Sequence, residues 1–181
     1  TITIAPDDAN PVVLNSNATI VATSGDHMLF IGGSFNTVNL TGGTETVMAF
    51  QGNNTIATGA GNDTIRIAGT GNVVDAGGGN NRLEDSGANN TIVMPTPGQG
   101  FIDVYGYVLQ QGDLFDFRQA LGATSWDGTP GSAGNFLQVV MSGGDATIGM
   151  RTSLGAPFSD IALLRDSGAF TVGDLLARSI V

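Results

Sequence analysis

Nine apolar residues recur at a strict nine-residue interval: Ile20, Leu29, Val38, Val47, Ile56, Ile65, Val74, Leu83 and Ile92. No position in the series is polar. Most follow a short Gly/Asn/Asp/Thr cluster, as in Gly52-Asn-Asn-Thr-Ile and Gly61-Asn-Asp-Thr-Ile. Self-similarity at so short a period points to a solenoid, whose unit is one strand and one turn that cannot bury its apolar face alone.

The strand period then assigns faces, because residues two apart point the same way. Two after each column member come Ala22, Ile31, Leu40, Ala49, Thr58, Ile67, Ala76, Asp85 and Met94, a mostly apolar set expected to face inward. The flanking positions are expected to face solvent: Thr19, Thr37, Thr55 and Thr91 before the column, and Asn39, Arg66, Asp75 and Glu84 after it. Gly and Asn supply the corners, since both tolerate the left-handed conformations of tight turns.

The number of strands per coil follows from which residues stack. With two strands per coil, like positions recur every eighteen residues. The position two before the column then reads Ala18, Asn36, Asn54, Asn72, Asn90 on one side and His27, Glu45, Asp63, Asn81 on the other. With three strands per coil the same positions are mixed. An unbroken Asn36-Asn54-Asn72-Asn90 column is what a stacked amide ladder needs, each side-chain carbonyl accepting from the amide one coil away. The expected architecture is therefore all-β: a flattened parallel β-roll with two strands per coil over residues 17–94. A capping arm (1–16) precedes it, and a β-rich C-terminal domain with one short helix (95–181) follows.

Two stretches of this roll resemble a known repeat. Gly59-Ala-Gly-Asn-Asp-Thr-Ile-Arg and Gly77-Gly-Gly-Asn-Asn-Arg-Leu-Glu resemble the calcium-binding nonapeptide of the RTX proteins, G-G-x-G-x-D-x-U-x. The resemblance implies a parallel β-roll, calcium between successive turns, and export by a type I secretion system. The ligands depart from the family pattern. Its Asp falls two before the apolar residue, where only Asp63 supplies it, with Glu45 as a stand-in and Asn at most other coils. Its leading Gly is replaced by Ile31, Leu40 or Ile67. Calcium takes six to eight oxygens, several of them carboxylates. The resemblance thus leaves one residual calcium site, at Asp63, with Glu45 one coil away and the Gly59 and Gly61 main-chain carbonyls completing it.

After Met94 the period stops at Pro95-Thr-Pro97-Gly-Gln-Gly, read as a domain boundary. Beyond it, Phe101 to Val108 reads as a strand, and Gly112 to Leu121 as a strand turning helical. Phe136 to Met150 reads as a hairpin with a Ser142-Gly-Gly-Asp145 turn, and Phe158 to Leu164 as a strand. Thr171-Val-Gly-Asp174 reads as a capping box opening a short helix. The segments Gly112-Asp113-Leu-Phe-Asp116-Phe117, Val139-Val-Met-Ser142-Gly-Gly-Asp145, Ile161-Ala-Leu163 and Asp174-Leu-Leu176 resemble the C-terminal target domain of type I secreted proteins. What that implies is a role in export and in capping the roll.

Composition removes several function classes. There is no Lys, and six Arg stand against sixteen acidic residues for a net charge of −10, so nucleic acid is not an expected partner. The absence of Cys removes disulfides and thiol chemistry. No apolar run reaches the roughly 20 residues of a membrane span, and no basic-then-apolar start marks a signal peptide. A chain beginning at Thr1 reads as a piece of a longer secreted protein.

Catalytic candidates are sparse. His27 is the only histidine and is assigned an outward surface or turn role beside Asp26. Asp113 and Asp116 would point to opposite faces at strand spacing and are read as turn and cap residues. Asp75, Glu84 and Asp85 with Arg66 and Arg82 read as one solvated face of ion pairs. Met28, Phe30 and Met48, by contrast, are apolar residues at outward positions on one side of the roll. They are either covered by the terminal segments or form a partner surface.

The expected function is that of a non-catalytic module of an extracellular protein, serving export, display and attachment to a cell surface, a polysaccharide or another protein. The alternatives are an accessory module of a polysaccharide lyase or epimerase, and an ice-binding protein suggested by the Thr column.

Overall fold

The structure, a computed structural model, describes residues 1–6, 11–13, 15–106 and 108–181. In chain order the first strands are β1 (Ile2–Thr3), β2 (Val12–Val13), β3 (Thr19–Ala22), β4 (Met28–Ile31), β5 (Thr37–Leu40) and β6 (Thr46–Ala49). There follow β7 (Thr55–Ala57), β8 (Thr64–Ile67), β9 (Val73–Asp75), β10 (Gly79–Asp85), β11 (Thr91–Val93), β12 (Gly100–Tyr105) and β13 (Leu114–Asp116). Helix α1 (Arg118–Gly122) and a 3-10 helix (Pro130–Phe136) lead into β14 (Leu137–Ser142), β15 (Asp145–Met150) and β16 (Ser159–Leu164). Helix α2 (Val172–Leu176) and β17 (Ser179–Ile180) close the chain.

Up to β13, odd and even strands separate into two sheets, as a two-strand coil requires. Sheet A runs β1-β3-β5-β7-β9-β11-β13-β17, and sheet B runs β14-β15-β16-β12-β10-β8-β6-β4-β2. Within the repeats every pairing is parallel and offset by eighteen residues: Ile20 faces Val38, Val38 faces Ile56, Leu29 faces Val47, and Val47 faces Ile65. The result is a parallel β-solenoid of about 6 turns. The nine-residue column forms its core, with Ile20, Leu29, Val47, Ile56, Ile65, Val74, Leu83 and Ile92 all fully buried. Each such aliphatic side chain contributes about 1.5–3 kcal/mol by leaving water.

Corner chemistry repeats with the same spacing. Asn17, Phe35, Asn53, Gly71 and Asn89 all take positive φ one residue before the column that holds the Asn ladder. Phe35 is the one bulky residue among them, in a conformation that Asn and Gly adopt far more readily. At the opposite corner Gly43, Gly61 and Gly79 stack. A Cβ at Gly61 would stand 1.8 Å from the Gly43 carbonyl oxygen, and one at Gly79 1.8 Å from that of Gly61. Only glycine lets the coils approach to hydrogen-bonding distance there.

The described part of the N-terminal segment lies on the first coil: Ile2 pairs with Ile20 and Val13 with Ile31, and Ile4 and Val13 are buried in the common core. At the other end the sheets do not stop at Met94. Strand β12 pairs with β10, and β13 with β11, both parallel. The loop at residues 95–99 lengthens a coil instead of ending the roll, because Ile102, Val104 and Phe115 still fill the interior.

Beyond β13, sheet B is extended by the predicted hairpin. Gly143 and Gly144 both have positive φ, the two-residue loop that matches strand twist. The Thr171 capping box is present, with Thr171 Oγ1 accepting the Asp174 N–H and the Asp174 carboxylate accepting that of Thr171. Helix α1 stands where the Gly112 to Leu121 segment was expected to turn helical, and α2 where the capping box opens; the 3-10 helix, rich in Gly, has no apolar period to announce it. Phe117, Leu121, Ala133, Phe136 and Leu175 on or beside these segments are buried in the same core.

Candidate functional site

The polar columns lie inside the roll and follow one rule. A main-chain N–H on one coil donates to a side-chain oxygen on the next. In sheet A, Ala18 N donates to Asn36 Oδ1, Asn36 N to Asn54 Oδ1, Asn54 N to Asn72 Oδ1, and Asn72 N to Asn90 Oδ1, all at 2.8–2.9 Å. Asn90 N in turn donates to Asp113 Oδ1 at 2.7 Å. In sheet B, His27 N donates to Glu45 Oε2, Glu45 N to Asp63 Oδ1, and Asp63 N to Asn81 Oδ1. An amide-to-amide rung occurs between Asn72 and Asn90, at 3.3 Å. The ladder is therefore main chain to side chain, which explains its mixed membership: the position needs an acceptor, and Asn, Asp or Glu supplies one.

This rule relocates several residues. His27 is buried, contrary to its expected surface role, because two before the column is an inward position; its Nε2 lies 3.0 Å from the Ser24 carbonyl. Asp113 is a fully buried rung, while Asp116 holds the Arg118 guanidinium and main-chain N–H. The expected acidic face is divided three ways. Asp75 receives the Gly77 N–H at a corner of sheet A. Asp85 is buried and accepts the Asn90 side-chain amide. Glu84 alone meets the arginines outside.

The residues expected to hold calcium are occupied by coil-to-coil bonding. Asp63 and Glu45 each spend one carboxylate oxygen on a main-chain N–H, and the Gly59 carbonyl accepts the Gly78 N–H at 2.8 Å. Gly61 lies against Gly43 and Gly79 in the corner stack. Among the described residues no group of three or more His, Asp or Glu side chains is placed to hold a metal ion. Calcium takes six to eight oxygens, of which the Glu45 and Asp63 carboxylates would supply only part. The chain is expected to keep its β circular dichroism spectrum in excess chelator. A spectrum that unfolds in chelator and returns with added calcium would overturn that expectation.

The buried acids are held uncharged more readily than exposed ones. Burial raises the carboxyls of Glu45, Asp63 and Asp85 above their ordinary range. Asp113 is pushed up to about 6, chiefly by burial and further by the charge of Asp85, with the Asn90 N–H offsetting part of the rise. Glu45 Oε1 and Asp113 Oδ2 have no hydrogen-bond partner among the described residues.

Sheet B carries the informative outer surface. One outward row reads Val12, Phe30, Met48, Arg66, Glu84, Tyr105 across successive coils. The neighbouring row reads Met28, Thr46, Thr64, Arg82, Asp103. The early coils are apolar: Val12 is 61% exposed and Met28 39%, with Phe30 and Met48 half-buried. Met28, Phe30 and Met48 are thus adjacent and open on the surface, and not buried by the described terminal segments. The later coils are ionic and aromatic. Arg66 and Arg82 both bind Glu84, at 2.8 and 2.9 Å, and Arg82 lies 3.8 Å above the Tyr105 ring centroid. Arg165, paired with Asp103 and Asp145, lies 5.4 Å from the same ring centroid.

Where this face turns the corner, a groove of about 500 Å³ runs across the coils, with Phe50 and Tyr105 in its lining and Arg66, Arg82 and Glu84 on the sheet side. Phe50 is 53% exposed. The sequence offered a sign of it: the equivalent corner positions are Gly32, Ala68 and Ser86, so an aromatic there packs no core. Tyr105 lies beyond the nine-residue period and had no such sign. On sheet A the Thr19, Thr37, Thr55 and Thr91 row is aligned, but Val73 interrupts it and the next outward row is Val21, Asn39, Ala57, Asp75 and Val93. A two-dimensional hydroxyl array is not formed there.

Among the described residues no helix is long and apolar enough to cross a membrane. No family model, curated protein or solved structure matches the chain.

Proposed function

We propose that this chain is a non-catalytic attachment module of a secreted protein, and that it meets its target through the outer face of sheet B. The observation that carries this reading is the apolar band Val12, Met28, Phe30 and Met48, continuous across the early coils of a face whose later coils are ionic. A parallel β-roll with coil-to-coil ladders is a rigid rod, and a contiguous apolar patch on such a rod suits contact with a partner. The buried carboxylates of Glu45, Asp63 and Asp113 serve the ladder as acceptors, which supports a structural role for them. The Ser142-Gly-Gly-Asp145 hairpin and the capped Asp174-Leu-Leu176 helix support type I export, as their sequence resemblance implies.

The test is solid-phase binding to a panel of bacterial surfaces, polysaccharides and extracellular proteins, with Met28, Phe30 and Met48 all replaced by Ser in the variant. The expected result is binding by the natural chain and a loss of about tenfold or more in the variant, with an unchanged melting temperature. Binding that the triple variant retains in full would sink the reading, as would no binding anywhere in the panel.

The groove favours a second reading, a module that binds acidic polysaccharide. Phe50 offers a sugar-stacking face, and Arg66 and Arg82 have guanidinium donors beyond those bound to Glu84. Under that reading Phe50→Ala abolishes glycan binding while the triple Ser variant leaves it intact.

A further inference from the structure

Among the described residues sheet B ends on two free edges of different kinds. One is β2, two residues long. The other is β14, six residues reading Leu-Gln-Val-Val-Met-Ser, paired among the described residues with β15 along one side only. A free edge presents unpaired N–H and C=O groups, and soluble proteins blunt such edges with charge, proline, bulges or brevity. Strand β14 has no charged residue and no Pro, and its six pairs with β15 run without a register shift. Val140 is 50% exposed and Met141 39%. The 3-10 helix and α2 pack on this strand, and Leu137 is buried, so the strand is anchored, while among the described residues no backbone hydrogen bond reaches it from beyond β15.

We infer that β14 is an assembly edge whose occupant is β14 of a second copy. The two strands join antiparallel across a two-fold axis, so that sheet B runs on through both molecules. Length selects the occupant. Among the described residues the other free edges, β1, β2 and β17, are two residues each and do not match a six-residue strand, whereas β14 matches itself. A two-fold axis normal to the sheet at Val140 sets Val140 against Val140, Val139 against Met141 and Gln138 against Ser142. That register keeps each pair on one face of the sheet. It also brings no like charges together, although the chain carries a net charge of −10. The contact is small, below the roughly 1,200 Å² of standard interfaces, so the dimer is weak and concentration-dependent.

Sedimentation velocity on the full chain, from about 1 µM to a few hundred µM, reads the equilibrium across the range where so small an interface associates. The expected result is a reversible monomer–dimer shift for the natural chain and for Val140→Thr, which keeps β propensity. Val140→Lys places two ammonium groups opposite each other and is expected to stay monomeric with an unchanged circular dichroism spectrum. Met141→Lys sets an ammonium group against Val139 of the other copy on the opposite face and is also expected to weaken the dimer, so the result does not depend on one variant's folding. A monomer at every concentration overturns the inference, as does a Lys variant that dimerises like the natural chain. Open-ended growth also overturns it, because that would mean head-to-tail pairing of β14 onto β2.

Discussion

Asn54→Leu is expected to lower the melting temperature by roughly 6–12 °C, while Asn39→Leu barely moves it. Asn54 is buried; its Oδ1 accepts the Asn36 N–H at 2.9 Å and its Nδ2 donates to the Gln51 carbonyl at 3.0 Å. Leucine has similar volume and neither function. It therefore leaves a main-chain N–H and a corner carbonyl without partners in the interior, at about 1–3 kcal/mol for each buried orphan. The main-chain bond from residue 54 to Asn72 Oδ1 survives, so the loss is confined to one step of the ladder. Asn39 is exposed on the outer face of β5, between Val21 and Ala57, and has no place in the column. Asn54→Asp sharpens the test, because it keeps the acceptor that Asp63 and Asp113 supply in their own coils. Thermal melts of the three variants decide the matter. Equal losses at positions 39 and 54 would show that the coil-to-coil ladder does not hold the roll together.

The second large effect is in pH. The carboxyls of Glu45, Asp63, Asp85 and Asp113 have folded pKa values raised by burial. A raised carboxyl binds its proton more tightly in the folded state, so its stabilising contribution is complete below the unfolded pKa of about 4. That contribution disappears as pH rises through the folded value, which for Asp113 is about 6. Asp116 acts oppositely. Arg118 holds its carboxyl below the ordinary range, so its contribution is present above about 4 and is lost in stronger acid. The roll is accordingly expected to be most stable between about pH 4 and 6, and to melt at lower temperature at pH 8 than at pH 5. Repulsion among the ten excess negative charges acts in the same direction. Asp113→Asn keeps an oxygen for the Asn90 N–H and removes the titration. Its expected gain at pH 8 is on the order of 2 kcal/mol, vanishing near pH 4. A melting temperature that is flat or rising from pH 5 to 8 would contradict this, and so would an Asp113→Asn variant no more stable than the natural chain at pH 8.

The chemistry of these two predictions was unevenly visible in the chain. An eighteen-residue stack of Asn36, Asn54, Asn72 and Asn90 can be read from one-dimensional spacing, because a parallel coil repeats its register without reference to anything distant. The same regularity makes the nine-residue apolar column a dependable guide to the core. What spacing cannot tell is which atom bonds to which. Whether amide meets amide or main chain meets amide depends on how closely the backbones approach, and the corner stack of Gly43, Gly61 and Gly79 sets that approach. For this reason Asp63 and Glu45 could resemble calcium ligands in sequence and yet serve as ladder acceptors in the fold.

By itself, the sequence determined the solenoid, its two-strand coil, the apolar inward column of the repeats, the Gly-Gly hairpin and the capped helix, all features governed by neighbours at fixed separation. Tertiary structure alone decided the rest. It joined β1 and β2 to the two sheets, through pairing of Ile2 with Ile20 and Val13 with Ile31. It carried both sheets past Met94, since β12 and β13 add to their edges across loops of irregular length. It also brought Phe50, Arg66, Arg82 and Tyr105 to one groove, a convergence that depends on which coils stack on which and so has no local signature in the chain.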